Sequence, residues 1–331
     1  MNISLVICTY MRPDSLLKLL YSLEAQIIKP NEIIIVDGST TLDTQIVLKN
    51  YDFDVTYFLV DDDNRGLTKQ RNFGVSKTDK STDVVAFLDD DLILEPNYFE
   101  EIIKTYQQNP KAIGVGGIDL VENTYSLKNP NQMYSKFEYF ELDGWIKKEG
   151  MRNKVRKIFG LMTDLQPELI PSFSHGRTGL PPNDKLYEVE HFMGGIATYK
   201  KDLFHKIAFS KYFEGYGLYE DYDFCVRAIK HGKLYINTKA KVHHYHAPSG
   251  RPNQYDYGKM VVRNGWYVWR LKNPQPDLQS KIKWHAITIL LMVLRFFNAF
   301  TTKKSKQAFT ESLGRGVAWI QLFFDKPTIE Y

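Results

Sequence analysis

The sequence predicts an α/β fold whose central sheet is mainly parallel, followed by a helical C-terminal region. Short runs rich in Val and Ile alternate with helix-like segments through the first third of the chain, a pattern typical of parallel sheets. Polar residues follow several of these runs directly, which is where ligands bind in such sheets. The chain has 331 residues, 43% of them apolar, which is enough to bury a large core and excludes a disordered or collagen-like protein.

Each element in the first third is predicted from its own local pattern. The strand candidates are apolar or β-branched runs: Ile3–Cys8, Glu32–Val36, Asp54–Val60 and Val84–Leu88. The helix candidates are Asp14–Gln26, with Asp14 as its cap, Thr41–Asn50 and Leu67–Ser76. Because the carboxyl ends of parallel strands meet at one edge, the loops after Cys8, Val36 and Leu88 are expected to share one crevice.

The middle of the chain is less regular. Residues 123–186 show weak periodicity, many aromatic residues and scattered basic residues, which predicts an insertion or lid with no fold of its own. Further along, Glu188–Lys200 predicts a strand and a turn, and Tyr219–His231 predicts a helix. Residues 242–250 contain three of the eight histidines and predict a histidine-rich loop.

Three consecutive carboxylates, Asp89, Asp90 and Asp91, come directly after the strand candidate Val84–Leu88. Such a cluster is electrostatically costly unless a cation offsets it, and carboxylate oxygens are ligands that Mg²⁺ and Mn²⁺ prefer. A solvated acidic turn is the alternative, and we favour it for residues 61–63, which an irregular polar loop follows. Apolar residues on both sides of Asp89–Asp91 favour a metal site there.

A series of motifs resembles the family 2 glycosyltransferases, which are inverting nucleotide-sugar enzymes of GT-A fold. The resemblance extends from Ile3 to about Arg251. Its motifs, in the family's order, are Val6–Pro13, Ile34–Ser39, Asn64-Arg65-Gly66 with Arg71-Asn72-Phe73-Gly74, Leu88–Asp91 as the DxD motif and Glu220–Phe224 as the E-D-x-D helix start. It implies a GT-A domain over residues 1–255, with a nucleotide-binding half (1–120) and an acceptor-side half (121–255), and a separate helical region over residues 256–331.

A donor-binding set follows from the resemblance. Its members are Thr9, Tyr10, Arg12, Asp37, Arg71, Asp89 and Asp90. Within it, Asp37 can accept a hydrogen bond from a pyrimidine ring N–H, and Arg71 can stack on the base or pair with Asp37. The structural alternatives are a turn cap for Asp37 and a surface ion pair for Arg71.

The resemblance also implies a divalent metal, Mn²⁺ or Mg²⁺, with Asp91 as a ligand. Such an ion bridges the donor's diphosphate and offsets the charge that builds on the leaving group. The family's pattern of a hydrophobic residue, any residue and then His matches Val242-His243-His244. We therefore prefer His244 as the further metal ligand, with His246 as the runner-up.

The residue expected to act as general base is Asp221, because inverting transfer needs a carboxylate that takes the proton of the acceptor hydroxyl. The glycine-containing segment 215–219 before it forms a flexible lead-in. Glu220 is expected to hold the acceptor, and Gly194 and Gly195 match the family's glycine loop beneath the donor sugar and the acceptor. The structural alternatives are a helix start that favours acidic residues and a tight turn.

The C-terminal region is basic and partly apolar. Residues 260–331 hold eleven Lys and Arg against four Asp and Glu, a net charge of +7, whereas the rest of the chain carries a net charge of −3. The uncharged run Trp284–Leu294 is too short to span a bilayer, which takes about 20 apolar residues. One interpretation is a buried core helix. We favour a helix at the surface of an anionic membrane, and helices of this kind can also form a homodimer.

We therefore expect an enzyme that transfers a sugar from a UDP- or dTDP-linked donor to a glycan or lipid-linked acceptor, in bacterial surface polysaccharide synthesis. The mildly acidic body argues against nucleic acid as a partner. No signal-peptide pattern opens the sequence, so we expect a cytoplasmic protein, peripheral on the inner face of the cell membrane. A non-catalytic nucleotide-sugar-binding or scaffold protein of the same fold is the alternative. A nucleotidyltransferase is disfavoured because the loop Thr9–Pro13 has no glycine.

Overall fold

The computed structural model describes residues 1–51, 53–245 and 252–330, and the chain divides into two compact units. The first unit consists of Met1–Asn123 and Pro182–Arg251. The second unit consists of Thr124–Pro181 and Pro252–Tyr331. Each unit is therefore built from two segments that are remote in the sequence.

The helices and strands follow one another in this order. The first segment contains β1 (Ile3–Thr9), α1 (Pro13–Glu24), β2 (Glu32–Asp37), α2 (Asp43–Lys49), β3 (Thr56–Leu59), α3 (Leu67–Lys77), β4 (Val84–Asp89), β5 (Leu92–Leu94), α4 (Tyr98–Gln108) and β6 (Ala112–Asp119). The second unit begins with β7 (Tyr125–Leu127), β8 (Tyr139–Leu142), β9 (Trp145–Lys148) and α5 (Met151–Ile158). The chain returns to the first unit with β10 (Leu186–Val189), β11 (Ile196–Lys200), α6 (Glu220–Ala228) and β12 (Lys233–His244). It ends in the second unit with α7 (Gln254–Lys272), α8 (Leu278–Thr301) and α9 (Ser305–Gln321).

One large sheet forms the centre of the first unit, in the strand order β10-β12-β6-β11-β4-β1-β2-β3, with β5 paired to β12. β1 runs parallel to β2 and to β4, and β2 runs parallel to β3, so these four strands end at one edge. β11 lies antiparallel between β4 and β6, and β12 runs parallel to β6. The predicted α/β fold with a mainly parallel sheet and C-terminal helices is confirmed.

Apolar spacing explains how the helices cover this sheet. The leucines of α1 recur at helical spacing, and Leu16, Leu19 and Leu23 are all buried against the core. Each fully buried Leu side chain contributes about 1.5–3 kcal/mol of transfer free energy. The prediction that Asp14 caps this helix is wrong, because the helix begins at Pro13, a residue favoured at the first helical position. Asp14 lies in the first turn instead.

Residues 124–181 contain regular secondary structure and belong to the second unit, contrary to the prediction for residues 123–186. β7, β9 and β8 form a three-stranded antiparallel sheet, and α5 follows it. Asp143 and Gly144 connect β8 to β9 with φ angles of 52° and 78°. Asp-Gly is a strong hairpin signal because both central residues of such a turn need positive φ. Periodicity missed the hairpin because its strands have only four residues each.

The last three helices pack around tryptophan side chains. The Trp269 and Trp284 rings stack with their centroids 5.1 Å apart, which joins α7 to α8. Only Ser280, Trp284 and Ile287 of the 24-residue α8 are buried, so the interpretation as a buried core helix is wrong for most of its length. Among the described residues, α8 is also the one helix whose length and apolarity would suffice to cross a membrane. The sequence-based expectation that this region does not span a membrane stays a prediction.

Candidate functional site

The acidic run lies at the carboxyl edge of the sheet, beside the loop that follows β1. The Thr9 hydroxyl donates a hydrogen bond of 2.6 Å to Asp90, and the Arg12 guanidinium lies 3.1 Å from the same carboxylate. Arg12 is also 3.6 Å from Asp91. Burial raises the pKa of Asp90 to about 6, although Arg12 and Thr9 act in the opposite direction. Tyr10, which lies between Thr9 and Arg12 in the chain, is exposed.

Asp89, Asp91 and His244 form a group that could hold a metal ion. Each offers one ligand atom, and these atoms all lie within 4.8 Å of one another. Nε2 of His244 is 2.9 Å from an oxygen of Asp91. Two carboxylates and an imidazole suit Mn²⁺ or Mg²⁺ in chemical type, so the residues fit the expected ion.

His244 reaches this group because it ends a strand. β12 continues through Val242 and His244 and pairs with β5, which directly follows the acidic run. The prediction of a loop from residue 242 onward is therefore wrong for residues 242–244. Burial lowers the pKa of His244, but its hydrogen bond to Asp91 and the surrounding carboxylates outweigh this effect and raise it. The runner-up His246 lies outside the described residues.

Arg71 occupies a buried position between two carboxylates. Its guanidinium forms an ion pair with Glu220 and lies 3.5 Å from Asp89. The alternative in which Arg71 pairs with Asp37 is therefore wrong. Burial raises the pKa of Glu220 most strongly, and the neighbouring carboxylates act in the same direction, whereas Arg71 opposes them. The second carboxylate oxygen of Glu220 is buried and accepts no hydrogen bond from the residues that the structure describes.

Gly194 and Gly195 lie directly against these side chains. A Cβ atom on Gly195 would lie 2.1 Å from a carboxylate oxygen of Asp89. A Cβ atom on Gly194 would lie 2.6 Å from Glu220 and 2.8 Å from Arg71. The backbone also connects the two parts of the site, because the carbonyl of Gly195 accepts a hydrogen bond from the Asp89 amide. Both positions therefore need glycine because the backbone approaches charged side chains closely.

Asp221 lies in the first turn of the helix α6, beside Gly194. Its carboxylate accepts a hydrogen bond of 2.8 Å from the Tyr222 amide and lies 3.5 Å from Nε2 of His191. Burial alone would raise the pKa of Asp221, but His191 and the Tyr222 amide outweigh burial and hold it below its usual range. The His191 ring stacks on the Tyr222 ring with centroids 3.6 Å apart, which fixes its orientation. Asp221 is therefore a carboxylate that is ionised at neutral pH.

Asp37 is fully buried at the end of β2. One of its oxygens accepts a hydrogen bond of 2.8 Å from the Ser39 amide, and the other accepts one of 2.9 Å from the Tyr57 hydroxyl. These bonds hold its carboxylate in one orientation at the sheet edge.

Asp61, Asp62 and Asp63 are all exposed, as predicted for a solvated acidic turn.

Two residues that support the site were not predicted. Gln70 is buried and donates hydrogen bonds from its side-chain amide to the carbonyls of Thr9 (3.1 Å) and Val36 (2.8 Å), so it ties together the ends of β1 and β2. The sequence signal that could have identified Gln70 is its position directly before Arg71 on α3. His191 had no comparable signal, because only the folded chain brings it to Asp221.

The chain is similar in sequence and in fold to several known proteins. A family model described as Glycosyl transferase family 2 matches residues 4–207. A glucosyl-dolichyl phosphate glucuronosyltransferase of Haloferax volcanii is 36% identical over 120 residues, which are 35% of this chain and 38% of the relative. An uncharacterized glycosyltransferase of Haemophilus influenzae is 33% identical over 108 residues, 33% of this chain and 35% of the relative. The chain thus matches little more than a third of the length of these relatives. The crystal structure of GalNAc-T7 with UDP, GalNAc and Mn²⁺ resembles this chain with a TM-score of 0.53. The similarity covers 86% of this chain and 54% of GalNAc-T7 at 17% identity, so it is a similarity of fold alone.

Proposed function

Because this chain belongs to glycosyl transferase family 2 and has a GT-A fold, we propose that it transfers a sugar from a UDP- or dTDP-linked donor to a hydroxyl group with inversion. The supporting observation is a continuous series of contacts at the sheet edge. Asp89 belongs to the candidate metal group, Gly195 lies against Asp89, and Gly194 lies against Asp221. The proposed diphosphate site and the proposed base are therefore adjacent.

The metal in this proposal is Mn²⁺ or Mg²⁺, held by Asp91 and His244. Asp89 is close enough to complete the set. The ion, when bound, supplies positive charge to the donor's diphosphate and to the leaving nucleoside diphosphate. Arg12 holds Asp90 and Asp91 in place from the side of β1, so the acidic run is kept in one arrangement.

Donor binding is assigned to residues 1–120. We place the pyrimidine base at Asp37, whose orientation its hydrogen bonds to Ser39 and Tyr57 already determine. The remaining proposed donor contacts lie along the same edge: Thr9, Tyr10, Arg12, Arg71, Asp89 and Asp90. The burial of Arg71 between Glu220 and Asp89 supports a positioning role rather than stacking on the base.

Asp221 is the proposed general base. As the acceptor oxygen forms its bond to the anomeric carbon, the bond from that carbon to the diphosphate breaks and Asp221 takes the hydroxyl proton. Its lowered pKa supports this role because the group must be ionised to accept a proton. The neighbouring Glu220 is engaged by Arg71 and suits acceptor binding through its second oxygen, together with the backbone at Gly194 and Gly195.

For the acceptor, we propose a glycan or lipid-linked acceptor of bacterial surface polysaccharide synthesis. The name of the Haloferax relative includes a dolichyl phosphate, which supports a lipid-linked acceptor. We further propose a cytoplasmic enzyme, peripheral on the inner face of the membrane, whose C-terminal region carries the net charge of +7. A homodimer through the same helices is the alternative use of that region.

Calorimetry tests the central proposal. UDP and dTDP are titrated into the protein with Mn²⁺ and again with EDTA, using the native chain, Asp91→Asn and the matched control Asp63→Asn in the exposed acidic turn. We expect metal-dependent binding by the native chain and the control, and its loss in Asp91→Asn. Equal affinity with and without EDTA would contradict the metal assignment. Binding without sugar transfer to any acceptor would favour the non-catalytic alternative.

Flotation with anionic vesicles tests the membrane proposal. Lys303, Lys304 and Lys306 are exposed, and each basic residue near an anionic surface contributes about 1 kcal/mol, an attraction that salt weakens. The native chain should float at low salt and be released at high salt, and replacing these three residues by Glu should abolish flotation. A native chain that stays unbound at low salt would exclude this role and leave the dimer.

A further inference from the structure

An apolar groove lies within the second unit, between the end of α5 and one face of α8. Its volume is about 910 Å³, and its walls include Phe159, Leu161, Leu278, Ile282, Ala286 and Val293. The α8 residues recur about every fourth position, so they form one continuous stripe. Leu278 and Ile282 are 72% and 60% exposed. A water-exposed apolar groove of this size is typical of a site that an apolar ligand covers.

The charged residues on the two wall helices have one sign, although Lys154, Lys157 and Arg295 are paired with Glu138, Glu149 and Glu311 of neighbouring segments. Neither α5 nor α8 contains an acidic residue. Their basic residues are Arg152, Lys154, Arg156 and Lys157 on α5, and Lys281, Lys283 and Arg295 on α8. Lys283 itself lines the groove. The ligand that such walls favour therefore combines an apolar body with a negative group.

A buried guanidinium next to the groove indicates where the negative group would bind. Arg156 is 3% exposed, and its Nε donates a hydrogen bond of 3.2 Å to the carbonyl of Leu161, a residue of the groove wall. Nη2 of Arg156 and Nε of Arg177 are buried, and neither finds an acceptor within residues 1–51, 53–245 and 252–330. A buried N–H group without an acceptor is costly, which a bound anion would relieve.

The charge around Arg156 is also not balanced within the second unit. Burial, Arg152 and Arg177 together lower the pKa of Arg156 to about 10, and Glu149 is the one group that raises it. Glu149 is itself shared between Lys157 (2.8 Å) and Arg177 (2.7 Å). A phosphate would supply both the missing negative charge and several acceptor oxygens.

We propose that this groove binds a single membrane lipid, with a hydrocarbon chain along α8 and a phosphate headgroup at the α5 wall, where Arg156 lies beside Leu161. A second copy of this chain fits less well, because a symmetric contact would place two basic walls against each other. An uncharged apolar ligand would leave the buried N–H groups without an acceptor. The proposal goes beyond general attraction to an anionic surface, which requires no groove.

Matched lipids test the chemistry of the ligand. The full chain is incubated with phosphatidylcholine vesicles that contain dioleoyl phosphatidate or dioleoylglycerol, then re-isolated at high salt, and bound lipid is counted by native mass spectrometry. We expect one phosphatidate per chain, at least about tenfold more than dioleoylglycerol, a difference of about 1.4 kcal/mol. Inorganic phosphate at equal concentration should not displace the lipid. Equal capture of both lipids, or displacement by inorganic phosphate, would overturn the proposal.

Two variants of α8 test the location. Ala286→Trp fills the groove, and Ala299→Trp makes the same substitution on the same helix outside it. Ala286→Trp should lose at least about tenfold of the bound phosphatidate, while Ala299→Trp retains it, with both variants unfolding at the native temperature in lipid-free buffer. Unchanged capture by Ala286→Trp would overturn the proposal, as would a native dimer that this variant converts to a monomer. Salt-sensitive flotation should persist in Ala286→Trp, so the groove and the general membrane attraction are tested separately.

Discussion

Replacing Gly195 by Ala puts a methyl group where the Asp89 carboxylate lies. The new Cβ would be 2.1 Å from one carboxylate oxygen and 2.2 Å from Cγ, whereas ordinary contacts begin at 3.4 Å. One of the two groups must therefore move by more than about 1 Å. Both ends of the clash are constrained, because the Asp89 amide bonds to the Gly195 carbonyl and Arg71 lies beside the Asp89 carboxylate.

The size of the effect follows from this displacement. Inserting a methyl group into a packed site costs about 1–3 kcal/mol of stability. A misplacement of about 1 Å in a catalytic constellation can lower the rate about 10²-fold. We therefore expect Gly195→Ala to remain folded, with sugar transfer reduced about 10²-fold and metal-dependent UDP binding weakened, because Asp89 belongs to the candidate metal group.

The assays are UDP calorimetry with Mn²⁺, product formation and thermal unfolding. Gly150→Ala is the matched control, because no atom lies within 4 Å of its added Cβ and its φ of −68° suits alanine. The control should match the native protein in UDP binding and in product formation, and should lose at most about 1 kcal/mol of stability, because Gly150 is the N-cap of α5. Native turnover and native UDP affinity in Gly195→Ala would refute the reasoning. A loss of stability alone would assign the glycine a purely structural role.

Three further predictions concern the carboxylates beside the glycine pair. Asp221→Asn should lower transfer about 10²–10⁴-fold while calorimetry still detects UDP, and normal turnover would move the base elsewhere. His191→Phe keeps a ring to stack on Tyr222 but removes the group that lowers the pKa of Asp221. Transfer needs the ionised carboxylate, so activity falls as the pH drops through the pKa of Asp221. The variant raises that pKa, and the acid limb of its kcat/KM profile should therefore move to higher pH. An unmoved limb would exclude His191 from this role. Arg71→Met leaves Glu220 buried without its cation and should cost about 3–5 kcal/mol in denaturant unfolding, and a stability near that of the native protein would show that Glu220 becomes neutral without Arg71.

The strand-end carboxylates were predictable from the sequence because their positions depend on local pattern. A parallel sheet brings the carboxyl ends of neighbouring strands to one edge whatever the rest of the chain does. Asp37 and Asp89 end β2 and β4 and lie on either side of β1, so their common edge follows from the apolar runs alone. The hairpin at Asp143-Gly144 also has a local signal in its Asp-Gly pair, although its strands are too short to show periodicity.

The contacts between distant segments were decided by the tertiary structure. β11 enters the sheet beside β4 in the antiparallel sense, and this pairing places Gly195 against Asp89. β12 crosses to β5 and carries His244 to Asp91. The partners of Arg71 and Asp221 likewise come from remote segments. The sequence by itself determined which side chains could carry the chemistry and at which edge the strand-end carboxylates lie. Only the folded chain decided which of them meet, because pairing between remote segments depends on burial and register across the whole sheet.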